Sequence, residues 1–122
     1  MESAIAQADE ADEAAVTRLV DSFYDRIRAE PRLGPIFENA IQDWDQHLQV
    51  MRDFWSRALL GTERYHGCVM SPHFGLPIEA VDLDRFLELF RPTADSTLPA
   101  DTARRAIQVA EAVTQNLRRA VK

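Results

Sequence analysis

Residues 43–61 read Asp-Trp-Asp-Gln-His-Leu-Gln-Val-Met-Arg-Asp-Phe-Trp-Ser-Arg-Ala-Leu-Leu-Gly and carry the strongest helical pattern in the chain. Large apolar side chains recur three and four positions apart, which places them on one face of an α-helix. Asp43 is a suitable N-cap and Gly61 a natural stop, so the pattern predicts a helix to about Leu60. The residues of this face are Trp44, His47, Leu48, Met51, Phe54, Trp55, Ala58 and Leu59.

The chain before this helix predicts two more helices. The first runs from Glu13 to about Ala29, where Pro31 and Gly34-Pro35 end it. Pro35 can open a short second helix that continues to Ala40. Residues 1–12 are rich in alanine and acidic side chains and are predicted to form a frayed or helical leader. The inward face of the first helix consists of Val16, Leu19, Val20, Phe23, Tyr24 and Ile27.

The chain after residue 61 predicts two further helices. One runs from about Val81 to Phe90, with Leu83, Phe86 and Leu87 on its apolar face. Pro92 and the polar residues 93–97 predict a linker, after which Pro99 opens a helix from about Ala100 to Ala120. Because no apolar–polar alternation of period two and no internal repeat is present, we expect a single all-α domain spanning residues 1–122. The inward residues of the last helix are Ala103, Ala106, Ile107, Ala110, Val113, Leu117 and Ala120.

The segment between the long helix and the helix near Val81 carries a candidate metal ligand. It reads Tyr65-His66-Gly67-Cys68-Val69-Met70-Ser71-Pro72-His73-Phe74-Gly75-Leu76. Glycine and proline on both sides of His73 limit how far a helix can run, so this histidine lies on a short, positioned segment. A neutral imidazole held in this way can bind a metal or a haem iron. The alternative is a loop histidine without a ligand.

Composition and missing motifs exclude several classes of protein. A formal charge of −6 argues against nucleic acid as the main partner. No apolar run is long enough for a membrane span, and no signal-peptide pattern opens the chain. The only cysteine, Cys68, is interpreted as a packing residue, which agrees with a cytoplasmic location. GxGxxG, GxxxxGK, CxxC and HExxH motifs are missing, so dinucleotide, phosphate-loop, thiol-redox and zinc-protease functions lack support.

Three polar groups remain on otherwise apolar elements: Tyr24, His47 and His73. A flat, mostly hydrophobic ligand with a central metal requires this kind of lining. Apolar walls hold the ring, one imidazole binds the metal, and a few polar groups face the open coordination position.

The order of motifs along the chain resembles the truncated haemoglobins of bacteria, and more narrowly group III. The resemblance rests on five pieces, namely Phe23-Tyr24, Leu33-Gly34-Pro35-Ile36-Phe37, Trp44-x-x-His47-x-x-x-Met51-x-x-Phe54-Trp55, Tyr65-x-Gly67 and His73. It implies a shortened globin fold, a two-over-two helical sandwich around haem b. Group III lacks the glycine-pair motifs of group I, and this chain has no glycine pair.

The resemblance also implies a role for each site residue. His73 matches the proximal histidine that binds the iron, Tyr24 matches the distal tyrosine that donates a hydrogen bond to O₂, and His47 lies over the distal face. Arg64 and Tyr65 lie where the haem propionates would be contacted. The expected cofactor-binding residues are Phe37, Met51, Phe54, Trp55, Tyr65, Leu76 and Phe86.

Phe86 departs from the family pattern, because truncated haemoglobins often have tryptophan at the matching position. Phenylalanine keeps an aromatic wall but removes an N–H donor, so Tyr24 and His47 would have to stabilise the ligand alone. With that donor missing, His47 itself is a candidate to coordinate the iron when no other ligand is bound.

The function that the resemblance implies is a cytoplasmic haem protein that binds O₂, NO, CO or other small ligands. A buried phenol that donates to O₂ favours slow release, and therefore ligand chemistry over oxygen delivery. NO dioxygenation or a peroxidase-like reaction fits, and either needs an unidentified reductant. We expect no nucleic-acid or membrane partner, and a monomer or a dimer. The alternatives are a haem-free helical interaction module and a labile haem sensor or carrier.

Overall fold

A computed structural model describes residues 12–65 and 78–120, and these residues form five α-helices. No strand occurs among them, and no helix within these two ranges is long and apolar enough to cross a membrane. The predicted all-α class is confirmed. In chain order the helices are α1 (Glu13–Ala29), α2 (Leu33–Ala40), α3 (Trp44–Leu60), α4 (Ala80–Thr97) and α5 (Ala100–Ala120).

The helices pack as two layers of two. Helices α1 and α3 form one layer, α4 and α5 form the other, and contacts of α1 with α4 and of α3 with α5 join the layers. The short α2 packs against α1. This is the predicted two-over-two sandwich, with its core between the layers.

Helix α1 supplies the centre of that core. Its bounds agree with the prediction, and Asp12 caps it by accepting a 2.9 Å hydrogen bond from the Ala15 N–H. All six residues of the predicted apolar face are buried, each with no more than 3% of its surface exposed. Burial of the complete stripe explains why the spacing along the sequence located this helix correctly.

Helix α2 begins two residues earlier than predicted, at Leu33. The cause is Glu30, whose carboxylate accepts hydrogen bonds from the backbone N–H groups of Arg32 and Leu33 at 2.7 and 2.9 Å. These bonds satisfy donors at the helix start that otherwise lack an intrahelical partner. Proline is still accommodated at Pro35 because it lies in the first turn.

Helix α3 has the predicted bounds and both predicted end signals. The Asp43 side chain accepts a 3.1 Å hydrogen bond from the Gln46 N–H. At the other end Gly61 has φ = +75°, the left-handed conformation that favours glycine. The long helix is therefore fixed by local chemistry at both ends.

The linker predicted at residues 92–97 is wrong, because α4 continues through Pro92 to Thr97. Proline inside a helix removes one backbone hydrogen bond, which predicted a stop. Thr93 and Ala94 are fully buried, and the Arg26 guanidinium of α1 donates a 2.7 Å hydrogen bond to the Thr93 hydroxyl. The Thr93 hydroxyl also donates to the Leu89 carbonyl at 2.8 Å. Packing and these bonds outweigh the local effect of proline.

Helix α5 runs from Ala100 to Ala120, as predicted. Ala103, Ala106 and Ala110 are buried on its inner face, where small side chains allow close packing. The predictions for residues 1–11, for Cys68, for His73 and for Leu76 lie outside the described residues.

We predict that Gly34→Ala destabilises the protein more than Gly61→Ala. A Cβ at Gly34 would lie 2.5 Å from the backbone carbonyl oxygen of Arg28, so α1 and α2 would have to separate. We expect a loss of about 1–3 kcal/mol in the free energy of unfolding, measured by urea denaturation.

Gly61→Ala is the matched control, because its Cβ would meet no atom within 4 Å and only the left-handed backbone would be strained. We expect a loss of about 1 kcal/mol there. Equal losses for the two variants would show that α2 does not depend on close approach at Gly34.

Candidate functional site

An apolar cavity of about 40 Å³ lies between the two layers, within a pocket whose empty space, including its open side, is about 620 Å³. Aromatic and aliphatic side chains dominate its walls. The lining residues are Phe23, Tyr24, Leu33, Phe37, Met51, Phe54, Trp55, Ile78, Asp82, Leu83, Phe86, Phe90, Ala110, Val113, Thr114 and Leu117. This pocket therefore brings together the predicted site residues Tyr24, Phe37, Met51, Phe54, Trp55 and Phe86.

Edge-to-face aromatic contacts organise one wall of the pocket. The Phe23 ring lies 4.8 Å from the ring of Phe86 and 5.1 Å from that of Phe90, at interplanar angles near 80°. Phe90 in turn stacks on Trp55 at 5.2 Å. Such pairs add to the stabilisation that burial gives and restrict ring movement. The wall is thus a shaped surface made from α1, α3 and α4.

Tyr24 is the buried polar group that α1 contributes to the pocket. Its side chain is 3% exposed, and its ring lies 5.0 Å from the His47 ring and 6.3 Å from the Phe37 ring. Burial raises the pKa of the Tyr24 phenol well above its usual value. The hydroxyl therefore keeps its proton at neutral pH and can donate a hydrogen bond.

His47 lies beside the pocket and is not among its lining residues. Its ring makes edge contacts with Tyr24 and, at 5.7 Å, with Trp44. It is half-buried on the side of Tyr24 that faces the beginning of α3. If His47 has a role at the pocket, it acts from a position beside Tyr24.

Tyr65 and Arg64 also lie outside the lining. The Tyr65 ring contacts Phe54 at 5.4 Å, and the Arg64 guanidinium lies 3.5 Å from the Glu13 carboxylate. Their predicted propionate contacts remain predictions, as do the roles of His73 and Leu76.

Phe86 forms part of the aromatic wall, as the sequence suggested. Its ring stacks on the Phe37 ring, with centroids 6.4 Å apart and an interplanar angle of 20°. It also makes an edge-to-face contact with the Phe23 ring. A phenyl ring has no N–H or O–H donor, so this part of the wall is purely apolar.

Asp82 is a pocket residue that was not expected from the sequence. It is 2% exposed and forms a two-point ion pair with Arg32, in which Nη2 lies 3.0 Å from Oδ2. It also accepts a 2.9 Å hydrogen bond from the Glu79 N–H in a capping box. The Arg32 guanidinium holds the pKa of the Asp82 carboxyl below its usual range. The missed signal was the spacing of Glu79 and Asp82 at the start of a helix.

The described residues fit a haem in the chemistry of their side chains. The pocket combines large apolar walls with a buried phenol, as a flat hydrophobic ligand with a reactive centre requires. Tyr24, Phe37, Met51, Trp55 and Phe86 would line the haem.

Comparison with known proteins identifies the family. The model of the bacterial-like globin family matches residues 11–120. The chain belongs to the bacterial-like globin family. It is similar to a group 3 truncated haemoglobin of Campylobacter jejuni, with 36% identity over 67 residues. That match covers 52% of this chain and 53% of the relative, so it spans about half the length of each protein.

The fold of this globin is similar to a crystal structure of a group III truncated haemoglobin from Campylobacter jejuni. The TM-score is 0.85 at 24% identity, and the alignment covers 93% of this chain and 94% of the other. The resemblance inferred from the sequence motifs is therefore confirmed. Membership of a globin family supports haem binding by this chain.

We predict that Asp82→Asn destabilises the globin at pH 7 and has less effect near pH 3. The folded-state pKa of Asp82 lies below the usual value for an unfolded chain, so its charge stabilises the fold above that usual value, about 3.9. This contribution is lost as the pH falls through the folded-state pKa. The difference in urea midpoint between the two proteins should become smaller as the pH falls from 7 to 3.

Asp101→Asn provides the control, because its ion pair with Arg104 is highly exposed and should contribute little at either pH. If the difference in urea midpoint between Asp82→Asn and the parent protein stays constant with pH, the carboxylate charge of Asp82 does not stabilise the fold.

Proposed function

We propose that this globin is a cytoplasmic b-type haem protein that takes O₂ and other diatomic ligands for chemistry rather than for oxygen delivery. The observation that carries the proposal is the protonated, buried Tyr24 phenol in the wall of an apolar pocket. When bound, haem supplies an iron that takes diatomic ligands and changes oxidation state. The cytoplasmic location rests on the single cysteine.

The apolar walls bind and orient the macrocycle and exclude water. Met51, Phe54 and Trp55 lie on one face of α3, while Phe86 and Phe90 face them from α4. We propose that His73, on the segment that follows α3 in the chain, would bind the haem iron. Because the walls are apolar, a hydrogen bond made inside the pocket faces little competition from water.

Tyr24 is the hydrogen-bond donor in this arrangement. A phenol that keeps its proton can donate to a polarised O₂ molecule, and such charge-assisted bonds are stronger than neutral ones. The phenyl ring of Phe86 offers no second donor. The hydrogen bond from Tyr24 should therefore make the largest single contribution to O₂ retention, with His47 beside it as the second polar group.

Slow release favours reactions of the ligand over its transport. Conversion of NO and O₂ to nitrate requires one further electron, and a peroxidase-like reaction also requires a reductant. Either reaction fits a small apolar pocket with a proton-bearing donor. We propose NO dioxygenation or peroxidase-like turnover with an external electron donor.

Tyr24→Phe should speed O₂ dissociation about ten- to a hundredfold. The change removes one hydroxyl and so one hydrogen bond to a partly charged ligand, which is worth roughly 1.5–3 kcal/mol. Stopped-flow displacement of O₂ by CO measures the rate.

Thr97→Val is the control, since it removes a hydroxyl near the end of α4 that donates to the Thr93 carbonyl and lies outside the pocket lining. Its O₂ dissociation rate should equal that of the parent protein. An unchanged rate in Tyr24→Phe would remove this phenol from ligand stabilisation.

Visible absorption spectra of the purified protein and of His73→Gly test the cofactor and its axial ligand together. We expect a b-type haem spectrum, a CO adduct after reduction, and a disturbed ferrous spectrum or haem loss in the variant. Haem that is retained through gel filtration argues against a labile carrier. If the protein neither contains haem nor takes up added haemin, the proposed function is wrong.

A further inference from the structure

A second pocket, of about 250 Å³, opens on the surface between α1 and α3. Charged side chains surround it on both helices, and an ion pair of 2.8 Å between Arg52 and Asp21 joins them. We call it the outer pocket; it is lined by Asp21, Tyr24, Asp25, Arg28, Trp44, Leu48 and Arg52. Tyr24 also lines the apolar cavity, so its side chain borders both the outer pocket and the proposed ligand site.

Three rings form the partition between surface and interior. The centroid of Tyr24 lies 6.2 Å from that of Trp44 and 5.0 Å from that of His47, and Trp44 and His47 are 5.7 Å apart. All three contacts are edge-to-face, so each ring supports the other two. Tyr24 is buried, whereas Trp44 is only half-buried at the outer pocket. His47 is half-buried as well, and of these two rings it is Trp44 that lines the outer pocket.

A charged pair holds Trp44 from outside. The Arg28 guanidinium lies over its indole ring, 4.3 Å from the centroid, and Arg28 Nε donates a 2.9 Å hydrogen bond to Glu38 Oε2. Trp44 Nε1 donates to the other oxygen of Glu38, Oε1, at 3.1 Å. Each member of this set, which we call the latch, thus contacts both of the others. The latch consists of Arg28 on α1, Glu38 on α2 and Trp44 on α3.

We propose that Trp44 is a gate for diatomic ligands between the outer pocket and the apolar cavity, and that Arg28 and Glu38 hold the gate closed. This inference rests on the proposed function, because it concerns the route by which ligands reach that same site. Movement of the indole away from Tyr24 and His47 would expose the outer side of Tyr24, the side chain that lines both pockets.

The latch is suited to gating because its contacts are weak enough to break often. Arg28 and Glu38 are 42% and 45% exposed, and ion pairs at this exposure contribute little stability. Hydrogen bonds from Arg28 and Trp44 hold the pKa of Glu38 below its usual range, so its carboxylate is charged at neutral pH. Salt screens exposed charge pairs, and salt should therefore open the gate.

The test is the bimolecular rate of CO association after laser photolysis of the reduced haem protein, measured from low to high NaCl concentration. CO is uncharged, so salt cannot act by steering the ligand. We expect the rate to rise with salt in the parent protein. Arg28→Gln and Glu38→Gln should each raise the low-salt rate about threefold to tenfold and remove most of its salt dependence. The low-salt rate of CO association in Trp44→Ala should be at least as high as in either of these variants.

Arg91→Gln is the matched control. Arg91 forms a 3.0 Å ion pair with Glu111, which joins α4 to α5. Each side chain is 45% exposed, so the distance and the exposure of this pair are close to those of Arg28 and Glu38. We expect the parental rate and salt dependence in this variant. Parental rates in Arg28→Gln and Glu38→Gln, in proteins with normal haem and CO spectra, would overturn the gate. A protein without haem would instead contradict the proposed function.

Fluorescence tests the latch even if no haem is present. In a Trp55→Phe background Trp44 is the only tryptophan of the chain. Acrylamide should quench its emission more strongly after Arg28→Gln or Glu38→Gln and at high salt, and no more strongly after Arg91→Gln. Equal quenching in all these proteins would show that the charged pair does not hold the indole in place.

Discussion

Burial of one face of α1 is the constraint on which the rest of this structure depends. Six side chains spaced along two-thirds of the helix are almost inaccessible to water, and α1 contacts α2, α3 and α4. Burial of apolar surface is the main driving force for packing, so these contacts fix how the other helices sit around α1. Phe23 and Tyr24 are adjacent members of that face. The packing that builds the core therefore also sets the position of the phenol in the pocket.

A group of ion pairs connects this core to α4 in the opposite layer. Glu30 caps α2 and accepts a hydrogen bond from Arg85 of α4 at 2.9 Å, while Arg32 pairs with the buried Asp82. Exposed ion pairs contribute little by themselves, but a buried carboxylate must be paired. Asp82 therefore fixes the beginning of α4 against the turn between α1 and α2. Since Asp82 lines the pocket, the same pair shapes the site.

Much of the site could be predicted from sequence because its residues are also core residues. Tyr24, Met51, Phe54 and Trp55 lie on apolar helical faces, and the family resemblance suggested that they line the cofactor site. The spacing of Glu79 and Asp82 indicates a capping box but not the burial of Asp82, since an acidic residue near a helix start usually remains in water. Its burial depends on Arg32, fifty positions earlier in the chain. The latch was also missed, because its three members come from three helices and have ordinary surface-residue identities.

The sequence by itself determined the helices at Glu13–Ala29, Trp44–Leu60 and Ala100–Ala120. The spacing of apolar residues and the residues at the helix ends are local features of the sequence. They were therefore sufficient to locate these three helices. Tertiary structure decided the length of α4, which continues through Pro92 because Thr93 is buried and receives a hydrogen bond from Arg26, 67 positions away. It also decided the pairing of Asp82 and the contact of Arg28 with Trp44. Contacts between residues distant in sequence depend on how helices pack, and periodicity along one helix carries no information about them.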